Sequence, residues 1–397
     1  MNIEAVIGAN YGDEGKGLFT EYLCRSRPSP IVVLSNGGCQ RGHTVYNSML
    51  DVRHVFHHFG SGTLLGVPTV LSKTFVLNPI KYVEEHLNLR LNSICPTVFR
   101  VPGCILQLPG DMFTNQTLEK ARENKKHGSC GWGIWETKVR NSQHFKLTFE
   151  DFAAMDYEAK RKCILESIEW QLCNRLNMFK DKIDNDILEK LTSDGFCKHF
   201  ISDFEEMERS MTLLEADNIL DVDWDKQELD VKTIVVENGQ GLLLDKDYAP
   251  KDNDGLTTVH ATPSKCGLDG ALEAINGKLV DGEIIANYVT RTYLTRHGAG
   301  PFPEETEHLS YFDKTNAPNA YQDSMRFGIM TDKAAEDLIK RTSHDAFSGL
   351  VAADKLNIAA THCNEAMLPI VLKNKCKFFS YEDDSAKIRE YNNIDEG

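Results

Sequence analysis

A chain of 397 residues, 41% hydrophobic and 26% charged, has the make-up of a soluble globular protein, with core enough for one large α/β domain or two ordinary ones. Its formal net charge of −15, with no basic stripe interleaved with aromatics, argues against a nucleic-acid partner and for small molecules held in a local positive pocket. No apolar run approaches membrane-spanning length, and the N-terminus enters a strand at once without a signal peptide. The 11 cysteines, with no Cys-x-x-Cys among them, point to free thiols in a reducing cytoplasm.

The first predicted element is a strand over Ile3 to Ile7, followed by a helix from about Leu18 to Leu23. Between them lies Gly12-Asp13-Glu14-Gly15-Lys16-Gly17. Glycines at a strand-to-helix junction let backbone N–H groups face a phosphate at the helix N-terminus. The standard nucleotide loop has Gly, four residues, then Gly-Lys-Ser/Thr; here Asn10 takes the first glycine position and Gly17 replaces the hydroxyl. Two carboxylates inside a phosphate cradle repel the ligand unless a cation intervenes or one of them acts as a base. That combination points to chemistry as well as binding.

Ile31-Val32-Val33-Leu34 is a continuous apolar run suited to a buried parallel strand, and it leads into a second glycine-rich loop, Ser35 to Thr44. Thr69-Val70-Leu71 and Thr233-Ile234-Val235-Val236 are further strands, the latter running into Glu237-Asn238-Gly239-Gln240-Gly241. Ligands of open α/β sheets bind where strand carboxyl ends meet such loops. The fold class expected is α/β, with a phosphate-loop-like, mostly parallel central sheet flanked by helices. His54, His57 and His58 have the spacing of an irregular strand, without the cysteines or acids of a metal set, and read as surface or packing.

From about 145 to 230 charge is dense, glycine is scarce, and Ile164, Ile168, Leu172, Leu176 and Phe179 recur at helical spacing. This reads as a helical subdomain inserted in a single domain spanning 1–397, with Trp170 as packing. The acidic end, Tyr381 to Asp384 and then Asp395 and Glu396, reads as solvated surface.

With these elements placed, the chain resembles the adenylosuccinate synthetase family. The resemblance is carried by Gly12-Asp13-Glu14-Gly15-Lys16-Gly17, Gly42-His43-Thr44, Glu237-Asn238-Gly239-Gln240-Gly241 with Leu242-Leu243-Leu244-Asp245, and Thr295-Arg296-His297-Gly298-Ala299-Gly300-Pro301-Phe302-Pro303. It implies a homodimeric, Mg²⁺-dependent ligase that joins L-aspartate to the 6-position of a purine nucleoside monophosphate, with a nucleoside triphosphate as phosphoryl donor. Asp13 and His43 are then the catalytic pair, Asp13 removing the N1 proton and His43 stabilising charge on O6. Asp13 and the Gly42 carbonyl would hold the metal. Gly12, Glu14, Gly15, Lys16, Gly17, Gly42, Thr44 and Asn364 fall to the triphosphate. Gln40, Arg41, Ser129, Gln240, Thr262 and Arg326 fall to the other substrates, and Arg140 to the arginine that the family sends into its neighbour's site.

The chain departs from the family's pattern in several places: Ser129-Cys130-Gly131-Trp132-Gly133 stands for Gly-Thr-Thr-Gly-Arg-Gly, a closing Ser-Thr-Gly-Pro is missing near Ser380, and three more bear on the substrates. Gln40-Arg41-Gly42-His43 stands for Asn-Ala-Gly-His. The loop Asn316-Ala317-Pro318-Asn319 leads to a single Arg326 in place of a Thr-Thr-Gly-Arg-Arg run. Thr361-His362-Cys363-Asn364 stands for Thr-Lys-Leu-Asp, whose Asp accepts both hydrogen bonds of a guanine edge; an Asn has one acceptor and one donor group and suits adenine better. A Cys-Asn pair resembles the viral aminodeoxyadenylosuccinate synthetases, which use dGMP and accept ATP, but that branch replaces the loop aspartate with a small residue, and Asp13 is retained. IMP is therefore the base case and dGMP with ATP the alternative, GTP or ATP being open as donor. A nucleotide-binding regulator without turnover is the reading from a different class.

Overall fold

The computed structural model describes residues 1–123, 126–251, 259–275, 284–309, 321, 324–348 and 351–391. Asn316-Ala317-Pro318-Asn319, Asp395 and Glu396 lie outside them.

A ten-stranded sheet forms the centre. Across it the strands run Arg389–Glu390, Cys376–Phe379, Leu356–Thr361, Ile284–Arg291, Asn2–Gly8, Thr233–Gly241, Pro30–Leu34, Thr69–Leu71, Val98–Arg100 and Thr212–Leu213. Neighbours are parallel throughout, except that Arg389–Glu390 pairs antiparallel at one edge. Every strand expected from the sequence sits in this sheet. Asn2–Gly8 holds the middle and is buried from Ile3 onward, because helices cover both faces; that is why its sequence lacks the alternation of a half-exposed strand.

The strand order doubles back around Asn2–Gly8: the next strand in the chain, Pro30–Leu34, is separated from it by Thr233–Gly241. Strands of widely separated sequence therefore deliver their following loops to one end of the sheet, which is where an α/β protein of this kind builds its site.

Between 145 and 230 the chain forms the helices Phe149–Ala153, Tyr157–Asn174, Asn185–Thr192 and Asp194–Arg209. The side chains of Thr148, Asp156, Asp184 and Ser193 cap them by accepting a first-turn amide. Ile164, Ile168 and Leu176 are buried, Leu172 and Phe179 pack partly buried beside them, and Trp170 stacks flat on His144 with ring centroids 5.2 Å apart. The stretch is not wholly helical, since Thr212–Leu213 returns to the sheet as its far edge strand.

All eleven cysteines are free thiols, with Cys95 and Cys173 exposed. Among the described residues no helix is long and apolar enough to cross a membrane. The backbone amides of His57 and His58 donate to the buried Glu85 carboxylate, and the His54 ring lies 3.5 Å from it.

Candidate active site

The loops after Asn2–Gly8, Pro30–Leu34, Thr233–Gly241, Ile284–Arg291 and Leu356–Thr361 open into one cleft of about 1510 Å³. Of the residues expected from the sequence, Gly12, Asp13, Gly15, Lys16, Gly17, Gln40, Arg41, Gly42, His43, Thr44, Ser129, Gln240, Thr262 and Asn364 line it. Glu14, Arg140 and Arg326 do not.

The first loop turns sharply before the helix Lys16–Ser26. Gly12 and Gly15 have φ of 107° and 91°, the left-handed region where a side chain is strained, and Asp13 is forced into the same region at 62°. Its neighbours hold it there. Arg291 donates to the Asp13 carbonyl and Thr295 Oγ1 donates to the Gly12 carbonyl at 3.0 Å. The Asp13 carboxylate is left partly exposed in the cleft, with His297 Nε2 at 3.6 Å.

Glu14 corrects the sequence reading. Its carboxylate turns inward and accepts the amides of Asn10 at 3.0 Å and Gly12 at 2.8 Å, while Lys16 Nζ pairs with it at 2.9 Å. Burial alone would raise the Glu14 carboxyl, but Lys16 and the two amides outweigh it and hold the group below its ordinary value. The second carboxylate of the loop is thus a brace that consumes two loop amides, with no direct part in binding a phosphate. Gly8 is required beneath it, because a Cβ there would lie 2.5 Å from Glu14 Oε2.

His43 begins the strand His43–Asn47, which pairs antiparallel with Val52–Phe56. Its Nδ1 lies 2.6 Å from Glu237 Oε1, the carboxylate at the carboxyl end of the apolar run of Thr233–Gly241. Arg41 pairs with the other Glu237 oxygen at 2.9 Å, and Ser61 supplies both its amide and its hydroxyl to the same carboxylate. Arg41 Nη2 also lies 2.9 Å from Nδ1, but the shorter contact is to the acceptor-only carboxylate, which favours the tautomer with the proton on Nδ1 and the lone pair on Nε2. Nε2 is buried and has no partner among the described residues, and neither has Gln40 Oε1, two orphans that a ligand in the cleft would explain. Burial, and then Arg41, push the imidazole down to about 4 against the pull of Glu237, so the ring is neutral near pH 7. Burial would raise Glu237, but Arg41, His43 and Ser61 overturn that and hold it at about 2.

On the opposite wall Gln240 Oε1 accepts the Thr262 hydroxyl at 2.9 Å, and Ser129 bonds Asn115. Asn364 stands exposed at the cleft's edge, beyond Thr361, whose hydroxyl donates to the Glu14 carbonyl at 2.7 Å.

Two arginines correct the expectation. Arg140 is fully buried, donating to Asp111 at 3.0 Å and to the Leu106 carbonyl at 2.9 Å, with Gln171 completing the Asp111 shell. A guanidinium so enclosed does not line this cleft. Arg326 pairs with Glu305 and donates to the carbonyls of Gly298 and Gly300, so it ties down the Gly-Ala-Gly-Pro loop from outside the cleft. Conversely, Glu237, Arg291 and His297 were not singled out from the sequence. Glu237 had a signal, a charged residue ending a run of buried β-branched positions.

A parallel α/β sheet with a glycine-rich strand-to-helix loop and a carboxylate-backed histidine defines a ligand-binding protein of the phosphate-loop-like class. The chain belongs to the adenylosuccinate synthetase family, whose pattern matches residues 5–335. It is 29% identical to the adenylosuccinate synthetase of Crocosphaera subtropica over 308 residues, 76% of this chain and 62% of that protein. It is 30% identical to that of Gloeothece citriformis over 305 residues, 76% and 61%. The chain therefore spans about 62% of the length of such curated relatives. Two solved structures share the fold. Fully ligated adenylosuccinate synthetase from Plasmodium falciparum superposes with a TM-score of 0.67 at 17% identity, covering 92% of this chain and 77% of that one. The cyanophage S-2L succinoaminodeoxyadenylate synthetase, bound to dGMP and dATP, superposes with a TM-score of 0.62 at 12% identity, covering 98% and 95%.

Proposed function

We propose that this chain is a purine-nucleotide ligase that joins L-aspartate to C6 of a 6-oxopurine nucleoside monophosphate, IMP to adenylosuccinate, at the expense of a nucleoside triphosphate. One observation carries the reading: a partly exposed carboxylate, Asp13, and an imidazole backed by a buried carboxylate, His43, line the same cleft from the loops that follow two strands of one sheet. A protein that only binds nucleotide has no use for a base beside a carboxylate-seated histidine.

The 6-oxo group is a poor leaving group and must be activated before an amine displaces it. Asp13 accepts the N1 proton, and the freed electron density makes O6 the nucleophile that attacks the γ-phosphorus while the nucleoside diphosphate departs. The aspartate amine then adds to C6, loses a proton, and inorganic phosphate leaves with the former O6. His43 enters neutral. As phosphoryl charge gathers beside Nε2, its protonation becomes favourable, and Glu237 steadies the imidazolium through Nδ1–H. Lys16 keeps two of its three N–H donors for phosphate oxygens while the third serves Glu14.

The donor set fits Mg²⁺: the Asp13 carboxylate and the Gly42 carbonyl are hard oxygen ligands, and both residues line the cleft. Bound there, the ion would neutralise phosphate charge during transfer. Either GTP or ATP is the donor in this reading. A homodimer in a reducing cytoplasm completes it, supported by the family resemblance and by the free thiols.

A second reading, dGMP with ATP, is favoured by Asn364 in the cleft and by the near-complete coverage of the cyanophage enzyme. Asp13 weighs against it. The test is a phosphate-release matrix of IMP or dGMP against GTP or ATP, with and without aspartate. Aspartate-dependent release with IMP supports the first reading and release with dGMP alone the second. Binding without release in any cell of the matrix would establish the regulator instead.

A further inference from the structure

Arg140 is sealed against Asp111 and does not line the cleft, so the monophosphate's dianionic phosphate calls for a cation among those that do. Arg122 and Arg175, which line the cleft, are already matched by Glu119 at 3.1 Å and Glu136 at 2.7 Å. Lys246 and Lys138 are not: no carboxylate among the described residues pairs with either ammonium. In a chain of net charge −15 such a lysine facing the cleft is out of the ordinary, and of the two only Lys246 lines it.

Their placement is specific. Asp245 and Thr262 lie side by side in a parallel bridge, and the Thr262 amide donates to the Leu244 carbonyl at 2.7 Å, which fixes Lys246 next to Thr262. Lys246 is exposed, lines the cleft, and holds its ammonium 5.4 Å over the ring of Trp135, itself 40% exposed in the same cleft. From behind, Lys138 Nζ donates to Ser264 Oγ at 3.1 Å and reaches the Pro263 carbonyl at 3.5 Å. Burial lowers the proton affinity of Lys138, Cys266 and Glu273 pull it part of the way back, and Lys246 adds to the lowering. Lys246, which has no carboxylate partner among the described residues, stands beside a Thr-Pro-Ser segment braced from behind by Lys138, and such a point charge suits a phosphate dianion.

We propose that Lys246 binds the phosphate of the nucleoside monophosphate and that Lys138 is the positioning residue that holds Thr262-Pro263-Ser264 against it. This deepens the ligase reading and rests on it.

The test measures steady-state kinetics of full-length Lys246→Gln, Lys246→Arg and Lys138→Gln with whichever monophosphate the wild type turns over. Lys246 is exposed, so its loss does not threaten folding. The KM for the monophosphate is expected to rise roughly ten-fold or more in Lys246→Gln, with kcat nearly unchanged and the KM values for aspartate and triphosphate unmoved. Lys246→Arg should recover most of the loss, and Lys138→Gln should raise the same KM by a smaller factor. An unchanged monophosphate KM in Lys246→Gln, or a rise in the aspartate or triphosphate KM in its place, overturns the subsite. A wild type that turns over neither IMP nor dGMP would instead overturn the ligase reading, so the two failures are told apart.

Discussion

Glu237 Oε1 lies 2.6 Å from His43 Nδ1, and both side chains are almost wholly buried. The carboxylate ends the apolar run of the strand Thr233–Gly241, and the imidazole opens a strand 194 positions earlier. This contact seats the imidazole through Nδ1. It also explains why a charge is tolerated at the centre of the sheet: Arg41 and Ser61 satisfy its remaining lone pairs.

Asp13 and His43 are each expected to be indispensable to turnover and dispensable for folding. Asp13→Asn keeps the loop's shape but cannot take a proton, and kcat should fall by about 10²–10⁴. His43→Ala should cost about 10²–10³. Both are read by aspartate-dependent phosphate release, with Tm as the folding control. Near-normal rates in either would contradict its assigned role.

Glu237→Gln leaves Arg41 buried without its counter-charge and replaces the carboxylate facing Nδ1–H with a neutral amide that has a single acceptor oxygen. Breaking such a buried pair from one side costs about 3–5 kcal/mol, so the variant should unfold at clearly lower denaturant, and what remains folded should have a reduced kcat. Equilibrium denaturation checks the first part. A fully stable variant would mean that the pair is not coupled as described.

Arg140 should behave as a structural residue. Arg140→Leu strands Asp111 and is expected to cost about 3–5 kcal/mol. The diagnostic measurement is mixing. An arginine acting across a dimer would let inactive Arg140→Leu subunits regain sites when combined with inactive Asp13→Asn subunits, whereas a core arginine gives no such recovery.

Acid should destabilise the fold from the histidine range downward. His43 at about 4 and His58 at about 3 sit below their ordinary 6.5, so the unfolded chain binds protons first as the pH falls. Their contribution is complete above about pH 6.5 and is lost as the pH drops through 4 and 3. Glu237, held at about 2 against an ordinary 4.5, adds a loss that begins below 4.5. Tm should be level from pH 8 to 7, decline below 6.5 and fall more steeply below 4.5. A flat profile down to pH 4 would contradict the buried, neutral imidazoles.

The sheet was legible because it is locally written: each central strand is a short apolar run, and each site loop is a glycine-rich stretch at its end. Asp13, His43, Gln240 and Asn364 could be picked out because their loops carry them. Charge partnership was not legible. Glu14 looked like a ligand group until the backbone folded its amides and Lys16 around it. Arg140 and Asp111 stand 29 positions apart and Arg326 and Glu305 21 apart, and nothing local says that each guanidinium is already taken. Glu237 was visible as a charge in an apolar strand, but its partner lies 194 positions away.

The central claim is that the purine's own oxygen takes up the phosphoryl group while Asp13 and His43 act on it. IMP labelled with ¹⁸O at C6, turned over with aspartate and GTP or ATP, tests it by mass analysis of the phosphate released. The account predicts one ¹⁸O in each phosphate and none left in the purine product. Unlabelled phosphate formed alongside aspartate-linked product would contradict it.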